Sequence, residues 1–181
     1  MAGKKALDAF VHASIQNMLT PRGQVDSVAK DFEAVGVKYC VVGGLALGAH
    51  NYIRATEDID LLVSKDTFHL IDEKLVGLGY TYRPGSKNLH YHAPGKKIEV
   101  DILVEGENNE GFVLPSPVAI RQKLFGVWYA DIRSLIILKL SSKRARDKSD
   151  VLSLIEANSL EKSWVSNVPL ALQMKWLSLF D

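Results

Sequence analysis

Apolar residues recur at intervals of three and four along much of the chain, which is the spacing of amphipathic helices. The pattern predicts helices over about 4–19, 25–35, 45–52, 66–78, 118–125, 132–141 and 147–156. Gly36 and Asn158 stand where two of these helices are expected to end, and Asp131 is suited to cap the start of another. Spaced apolar residues from Trp164 to Phe180 predict one more amphipathic segment.

Short runs rich in β-branched and aromatic residues alternate with these helices and predict strands. They lie at 37–42, 59–63, 80–83, 89–92 and 98–104. Residues 94–97, Pro-Gly-Lys-Lys, separate the last two strands and predict a hairpin turn. The polar residues 105–111 predict a loop. The chain is therefore expected to combine helices and strands, and we expect one domain over 1–181, with its core at about 25–158 and a helical tail at 159–181.

Composition and charge are those of an ordinary folded chain. Of 181 residues, 47% are hydrophobic and 24% charged, and 22 Lys and Arg against 21 Asp and Glu leave a net charge of +1. No global electrostatic field therefore favours nucleic acid or anionic lipid, so any polyanion must be bound locally.

The cysteine content and the length of the apolar runs indicate where in the cell the protein is expected. Cys40 is the single cysteine, so neither an intramolecular disulfide nor a cysteine zinc cluster can form. The longest apolar runs, 39–42 and 135–140, fall far short of the roughly 20 residues that span a bilayer. We predict a soluble, cytoplasmic protein with no membrane partner.

The residues that suggest chemistry are acidic. Asp58 and Asp60 flank Ile59 at the start of a predicted strand, so their side chains project to the same face. Asp101, within the predicted strand 98–104, is the natural third carboxylate. Three converging carboxylates repel one another unless divalent cations neutralise them, and hard cations such as Mg²⁺ favour such ligands together with substrate phosphates. This arrangement is what two-metal phosphoryl transfer requires.

A glycine pair provides a second candidate feature. Gly43 and Gly44 directly follow a predicted strand and precede a predicted helix. Glycine permits close backbone approach, and a helix N-terminus favours an anion such as a triphosphate. A Gly-Gly turn alone is more often plain turn chemistry, so the spacing to the acidic pair matters more than either motif.

The spacing of these motifs resembles the nucleotidyltransferase superfamily that includes DNA polymerase beta. The pattern is Val42-Gly43-Gly44, thirteen residues, then Asp58-Ile59-Asp60-Leu61, with Asp101 in a later strand. The segment 54–60, Arg-Ala-Thr-Glu-Asp-Ile-Asp, is similar to the minimal and abortive-infection toxin-like branch. The resemblance covers about 39–150 and implies the nucleotidyltransferase fold, an α/β (α+β) mixed β-sheet with flanking helices, followed here by a short C-terminal helical segment.

The resemblance implies roles for individual residues. Asp58 and Asp60 would be metal ligands, Asp101 a ligand or the base that activates the acceptor hydroxyl, and Gly43 and Gly44 would face the triphosphate. Two Mg²⁺ or Mn²⁺ ions would be the cofactors, with an NTP as substrate.

Three further residues are candidate nucleotide contacts. Arg54 and Thr56 precede the acidic pair and can reach phosphate oxygens, although Arg54 can equally be an ion partner of a carboxylate and Thr56 part of a solvated loop. Lys139 interrupts an apolar run, and with the charged segment 143–150 it resembles a basic region of the family that binds phosphate. The alternative for that segment is an exposed helix connection with local ion pairs.

The function implied is a metal-dependent nucleotidyltransferase that transfers NMP from an NTP, ATP among the candidates, to a hydroxyl. The acceptor remains open among a tRNA end, a protein side chain and a small molecule such as an aminoglycoside. A toxin–antitoxin or abortive-infection role would add a cognate antitoxin or another partner protein. About 30 residues follow Asp150, fewer than in toxin-like relatives, so a partner is one way to complete the acceptor site. The alternative function is a non-catalytic module that keeps the fold and binds nucleotide, RNA or protein.

Overall fold

The computed structural model describes residues 20–109 and 111–181, so the predicted helix over 4–19 lies outside the described residues. Seven strands form one sheet in the order β3-β4-β5-β2-β1-β9-β8, and β6 and β7 form a separate hairpin. The strands are β1 (Tyr39–Val41), β2 (Asp58–Val63), β3 (Tyr80–Tyr82), β4 (Leu89–Ala93), β5 (Lys96–Val104), β6 (Asn108–Asn109), β7 (Phe112–Val113), β8 (Arg121–Leu124) and β9 (Val127–Ala130).

Helices lie before, between and after the strands. They are α1 (Pro21–Val35), α2 (Gly43–Ala49), α3 (His69–Lys74), α4 (Pro117–Ile120), α5 (Ile132–Ser141), α6 (Ala145–Ala157) and α7 (Leu170–Leu177), with a 3-10 helix at Lys162–Asn167. Strand β2 runs parallel to β5, and β1 runs parallel to β9 but antiparallel to β2, so the sheet is mixed. The predicted mixed sheet with flanking helices is confirmed.

Local signals set the helix boundaries, and the predicted signals at Gly36, Asp131 and Asn158 are confirmed, although α1 begins at Pro21 and not at the predicted residue 25. Thr20 caps α1 by accepting a hydrogen bond from the Gly23 amide at 3.2 Å, and Gly36 ends the helix with a φ of 86°. Asp131 caps α5, accepting from the Ser134 amide at 2.7 Å. Asn158 follows the last residue of α6, also as predicted.

The two faces of the central sheet pack against hydrophobic clusters of different size. Alternate residues of β1 illustrate this, because Tyr39 and Val41 belong to the large core cluster with α1, while Cys40 and Val42 belong to a smaller cluster with Ile120. Strands β2 and β5 follow the same alternation. The face with the smaller cluster is where the acidic residues of β2 and β5 project.

Three predicted elements differ from the structure. The helix predicted over 118–125 is wrong: α4 ends at Ile120, and β8 and β9 follow as a hairpin that turns at Gly126, whose φ is 86°. Pairing of β9 with β1, remote in sequence, favours strand over helix there. The loop predicted over 105–111 contains β6, which pairs with β7. The helix predicted over 66–78 is shorter in the structure, where only His69–Lys74 is helical.

The C-terminal segments pack against the large core. Trp176 of α7 is fully buried and donates from Nε1 to the Lys162 carbonyl at 3.2 Å. Its ring makes tilted contacts with the rings of Trp164 and Phe180. Within the described residues, none of the helices has the length and apolar character needed to span a bilayer.

Candidate active site

Three carboxylates converge on the open face of the sheet. Strand pairing places Asp60 of β2 beside Asp101 of β5, and Asp58 lies two residues before Asp60 on the same face, with Ile59 buried on the other. One carboxylate oxygen from each aspartate lies within 4.8 Å of the others. The predicted convergence of Asp58, Asp60 and Asp101 is therefore present in the structure.

Burial and like charges together set the electrostatics of this cluster. Burial is the largest cause that raises the pKa of Asp60 to about 6, and the charges of Asp58 and Asp101 contribute to the same increase. Burial and the charges of Asp58 and Glu99 also raise the pKa of Asp101. None of the three aspartates forms a salt bridge with a Lys or Arg in the described parts of the chain.

The donor set fits a divalent cation. Oxygen ligands from several carboxylates are what Mg²⁺ and Mn²⁺ take in proteins, and a bound cation would relieve the repulsion that raises these pKa values. Asp58, Asp60 and Asp101 are the residues that would hold it.

Gly43 and Gly44 bring the backbone of α2 against this cluster. A Cβ on Gly43, whose φ is 60°, would lie 1.8 Å from Oδ2 of Asp60, and a Cβ on Gly44 would lie 2.7 Å from Oγ1 of Thr56. The sequence had suggested that the two glycines form a turn before the helix. In the structure they form the first turn of α2 itself. The Gly44 amide donates a hydrogen bond to Asp60. Gly43 therefore allows close approach to Asp60 of β2, and Gly44 allows close approach to Thr56 just before that strand.

Thr56 and Arg54 lie beside the acidic pair. The Thr56 hydroxyl donates to Oδ1 of Asp58 at 2.8 Å, which orients that carboxylate. Nε of Arg54 lies 3.2 Å from Oδ1 of Asp150, and Nη1 donates to the Ala55 carbonyl at 3.0 Å. The structure thus pairs Arg54 with a carboxylate, one of the two roles considered, while keeping its guanidinium beside Gly44.

Lys139 belongs to a second charge cluster, in which both carboxylates form ion pairs within the chain. Its side chain is 7% exposed, and Nζ donates to Asp147 at 2.8 Å and to Asp150 at 2.6 Å. Arg54 also contacts Asp150, and Arg144 donates to Asp147 at 2.8 Å. The charged segment 143–150 thus contains exposed Lys and Arg side chains and two buried carboxylates. The sequence interpretation of this segment as a basic, phosphate-binding region did not distinguish the two groups.

Two cavities meet at the carboxylates. The first, which we call the Asn88 cavity, has a volume of about 310 Å³ and extends from Asp101 to Phe112 of β7. The second, the Thr56 cavity, has a volume of about 430 Å³ and is lined by Arg54, Thr56, Asp58 and Arg146 among others. The residues common to both are Gly43, Asp60, Lys139, Arg144 and Asp147.

Asn88 is a site residue that sequence reasoning missed. It precedes β4, donates from Nδ2 to Oδ1 of Asp101 at 2.7 Å, and accepts from the Ile102 amide at 2.9 Å. It therefore ties the third carboxylate to the backbone of its own strand. An asparagine in a polar stretch before a strand is typical of a turn, so only the three-dimensional pairing of β4 with β5 identifies its role.

Solved structures that are similar to this chain include an aminoglycoside nucleotidyltransferase. The crystal structure of ANT(2″)-Ia in complex with adenylyl-2″-tobramycin matches 88% of this chain and 98% of its own, with 12% identity and a TM-score of 0.57. The chain has the nucleotidyltransferase fold. A solution structure of the antibiotic-resistance factor ANT(2″)-Ia matches 87% of this chain and 91% of its own, at 11% identity and a TM-score of 0.52.

The crystal structure of JHP933 from Helicobacter pylori is also similar, with 14% identity, 81% of this chain and 70% of that chain covered, and a TM-score of 0.51. No protein-family model matches the sequence, and no curated protein matches it. Identities this low establish the fold alone, so the chemistry must be argued from the residues of this chain.

Proposed function

We propose that the protein is a metal-dependent nucleotidyltransferase that moves a nucleoside monophosphate from an NTP to a hydroxyl group. The observation that carries the proposal is the cluster of Asp58, Asp60 and Asp101 at the junction of two cavities, with no salt bridge to a described cation of the chain. Protein interiors do not usually keep converging carboxylates without a cation, because repulsion and desolvation both oppose it.

The two cavities suggest where each substrate binds. Arg54, Thr56 and Asp58 line the Thr56 cavity and are absent from the Asn88 cavity, whereas Asp101 lines only the Asn88 cavity. We therefore place the phosphates of the NTP in the Thr56 cavity, against Gly43, Gly44 and Lys139 as well. The acceptor occupies the Asn88 cavity, where its hydroxyl meets Asp101.

The reaction follows from this placement. The acceptor oxygen attacks the α-phosphorus, the bond from that phosphorus to the bridging oxygen of the β-phosphate breaks, and pyrophosphate leaves. Asp101, oriented by Asn88, takes the hydroxyl proton. Mg²⁺ or Mn²⁺, two ions held by Asp58, Asp60 and Asp101, would supply positive charge to the transferring phosphoryl group.

Transfer of labelled nucleotide tests the proposal. Purified protein is incubated with Mg²⁺ or Mn²⁺ and each of four α-labelled NTPs, with tRNA, a cell extract or an aminoglycoside panel as acceptor. Asp60→Asn should reduce transfer at least about a thousandfold, because charge stabilisation worth several kcal/mol is lost. Glu73→Gln, a matched change at an exposed residue of α3, should leave transfer unchanged.

Equal transfer by wild type and Asp60→Asn would contradict the proposal. NTP binding without transfer to any acceptor would instead favour the alternative function, a non-catalytic module that binds nucleotide, RNA or protein.

We further propose that residues 1–181 act as one domain in the cytoplasm, as a toxin held in check by a cognate antitoxin. The support is the likeness of segment 54–60 to toxin-like nucleotidyltransferases. Induced expression should arrest growth with wild type and not with Asp60→Asn at equal protein level. Unimpaired growth in both cultures would remove the toxin role while leaving the transferase proposal intact.

A further inference from the structure

Strand β8 forms one edge of the seven-stranded sheet, at the opposite end of the strand order from β3. Among the strands of the described chain it pairs only with β9, and the two form a hairpin that turns at Phe125 and Gly126. An edge strand leaves part of its backbone free to pair with another extended chain. We call the outer side of residues 121–125 the hairpin edge.

The pairing pattern of the hairpin shows which backbone groups point away from β9. The Asp131 amide donates to the Ile120 carbonyl at 2.7 Å, and Leu124 pairs with Val127 across the two-residue turn. In an antiparallel pair, hydrogen-bonded positions alternate with positions that are not bonded, and Lys123 falls on one that is not. Its amide and carbonyl therefore point to the hairpin edge, where the described residues supply no backbone partner.

Two cations accompany this free backbone. Cζ of Arg121 lies 4.4 Å and Nζ of Lys123 lies 5.2 Å from the ring centroid of Trp128 on β9, and Arg121 also donates to the Tyr39 carbonyl of β1 at 3.4 Å. Neither cation forms a salt bridge within the described residues. These contacts draw both side chains inward over the sheet. They leave the outer backbone uncovered, unlike a lysine that blocks an edge strand.

Acidic side chains near the hairpin are placed elsewhere. The hairpin sequence, residues 121–130, contains no Asp or Glu. Asp26 and Glu33 of α1 line a cavity of about 160 Å³ with Val127, which belongs to the large core cluster on the face that α1 covers. Asp131, directly after β9, caps α5. The face of the hairpin that carries the two cations therefore has positive charge available for a ligand.

Phe125 adds an exposed aromatic ring at the tip of the hairpin. Its side chain is 84% exposed, and its φ of 50° lies in the left-handed region that bulky side chains rarely adopt. Asn, Asp and Gly are the residues favoured at this position of a two-residue turn. Phe125 thus opposes the local turn preference and contributes little to the core, which is typical of a binding residue and not of a packing residue.

We propose that the hairpin edge binds an extended segment of a partner protein, which adds a strand beside β8 and alternates acidic with apolar residues. The alternation follows from the two faces of a strand. Acidic side chains on one face would lie beside Arg121 and Lys123, and apolar ones on the other face beside Leu124, which packs against the large core. Backbone pairing with Lys123 supplies affinity, and Phe125 contacts an apolar residue of the segment.

A second copy of this chain is a poorer occupant of the hairpin edge. Two hairpin edges paired with each other would bring Arg121 and Lys123 of both copies together, and like charges on neighbouring strands destabilise the pairing. The inference does not depend on the transferase activity, because no residue of the acidic cluster belongs to this surface.

Binding of a designed peptide to the full chain in EDTA tests the proposal without any transfer reaction. The probe is a fluorescein-labelled peptide of eight residues in which Glu and Val alternate, and the comparison peptide alternates Lys with Val. Fluorescence anisotropy measures each dissociation constant. Wild type should bind the Glu peptide at least about tenfold more tightly than the Lys peptide, since only the Glu peptide complements Arg121 and Lys123.

Two substitutions separate the contribution of charge from that of the aromatic ring. Lys123→Glu should weaken binding of the Glu peptide about tenfold, whereas Lys65→Glu, the same change at an exposed lysine beyond β2, should leave it unchanged. Phe125→Asn should weaken binding about fivefold and yet raise the melting temperature, because Asn suits the turn better. Thermal unfolding of the two lysine variants confirms that they are folded.

Amide hydrogen exchange tests whether the peptide pairs with the backbone. The Lys123 amide should exchange more slowly in the complex with the Glu peptide, because it gains a hydrogen-bond acceptor. The amides of Gln122 and Leu124, which already pair with β9, should change little.

The proposal fails if wild type does not bind the Glu peptide, if Lys123→Glu binds it as tightly, or if binding leaves the Lys123 amide unprotected. A labelled single-stranded RNA of 12 nucleotides is titrated in parallel, and RNA binding in place of peptide binding would assign the surface to nucleic acid and overturn the proposal. Protection of the Lys123 amide that rises with protein concentration, without peptide, would assign it to a second copy with the same consequence.

Discussion

The molecule contains two clusters of aspartates side by side, and they differ in how their charge is balanced. In the first, Asp60 and its neighbours on β2 and β5 have no salt-bridge partner among the described residues, and the pKa of Asp60 is raised. In the second, Asp147 and Asp150 are almost fully buried, yet Lys139 lies between them and contacts both. The two clusters share the walls of the same cavities.

The comparison distinguishes carboxylates that stabilise the fold through ion pairs from carboxylates that, under the proposed function, bind a metal ion. Burying a carboxylate is costly unless it is paired, and the second cluster meets that cost within the chain, through Lys139, Arg54 and Arg144. The first cluster does not, and we propose that a bound divalent cation neutralises it. Lys139 consequently has two roles: it joins α5 to α6 and presents positive charge to the site.

Removing a carboxylate should therefore have opposite effects on stability in the two clusters. Asp150→Asn leaves Lys139 and Arg54 short of a buried counter-charge and should lower the free energy of unfolding by about 3 kcal/mol. Asp60→Asn removes a repelling charge and should leave the free energy of unfolding unchanged or higher. Urea denaturation of both variants in EDTA measures the difference.

A control for this comparison is Asp181→Asn, which removes an exposed ion pair with Lys162 and should not change the denaturation midpoint. The distinction between the clusters would be lost if Asp60→Asn destabilised the protein as much as Asp150→Asn.

Whether a feature of the fold or of the candidate site could be predicted from the sequence depends on how far apart in the chain the interacting residues lie. The shared face of Asp58 and Asp60 follows from the two-residue period of a strand, and the position of Gly43 and Gly44 between a strand and a helix indicated that the backbone could approach closely there. Asp101 was assigned by its place in a strand of matching pattern. The first two features are local, so the sequence displays them directly, whereas the convergence of Asp101 with the acidic pair depends on the pairing of β2 with β5 and was supported by the family resemblance.

Pairings between distant segments were not predictable. Asn88 reads as a turn residue until β4 is placed beside β5, and residues 121–130 form strands because β9 pairs with β1. Lys139 was expected to face substrate phosphates, and its bonds to Asp147 and Asp150 depend on the packing of α5 against α6. A lysine within an apolar helical run does indicate that a buried counter-charge must exist.

Divalent cations should stabilise the protein through the first cluster only. At a Mg²⁺ or Mn²⁺ concentration ten times the dissociation constant, the folded state gains about 1.4 kcal/mol, which raises the melting temperature by several degrees. Asp101→Asn should abolish this shift, and Asp147→Asn should retain it. An equal shift in Asp101→Asn would show that the ions bind elsewhere.

The smallest effect concerns the pH dependence of the second cluster. Burial alone would raise the pKa of Asp147, but hydrogen bonds from Lys139 and Ser142 and the charges of Lys139 and Arg144 outweigh it, so the pKa lies below its usual value. Since the unfolded chain then takes up protons first, the stability that Asp147 contributes is present above pH of about 4 and is lost as the pH falls below it. Denaturation between pH 6 and 3 should show a steeper acid loss in wild type than in Asp147→Asn, although the variant is less stable at neutral pH. Parallel curves would mean that this carboxylate has the same pKa in the folded and unfolded chain, contrary to its pairing with Lys139.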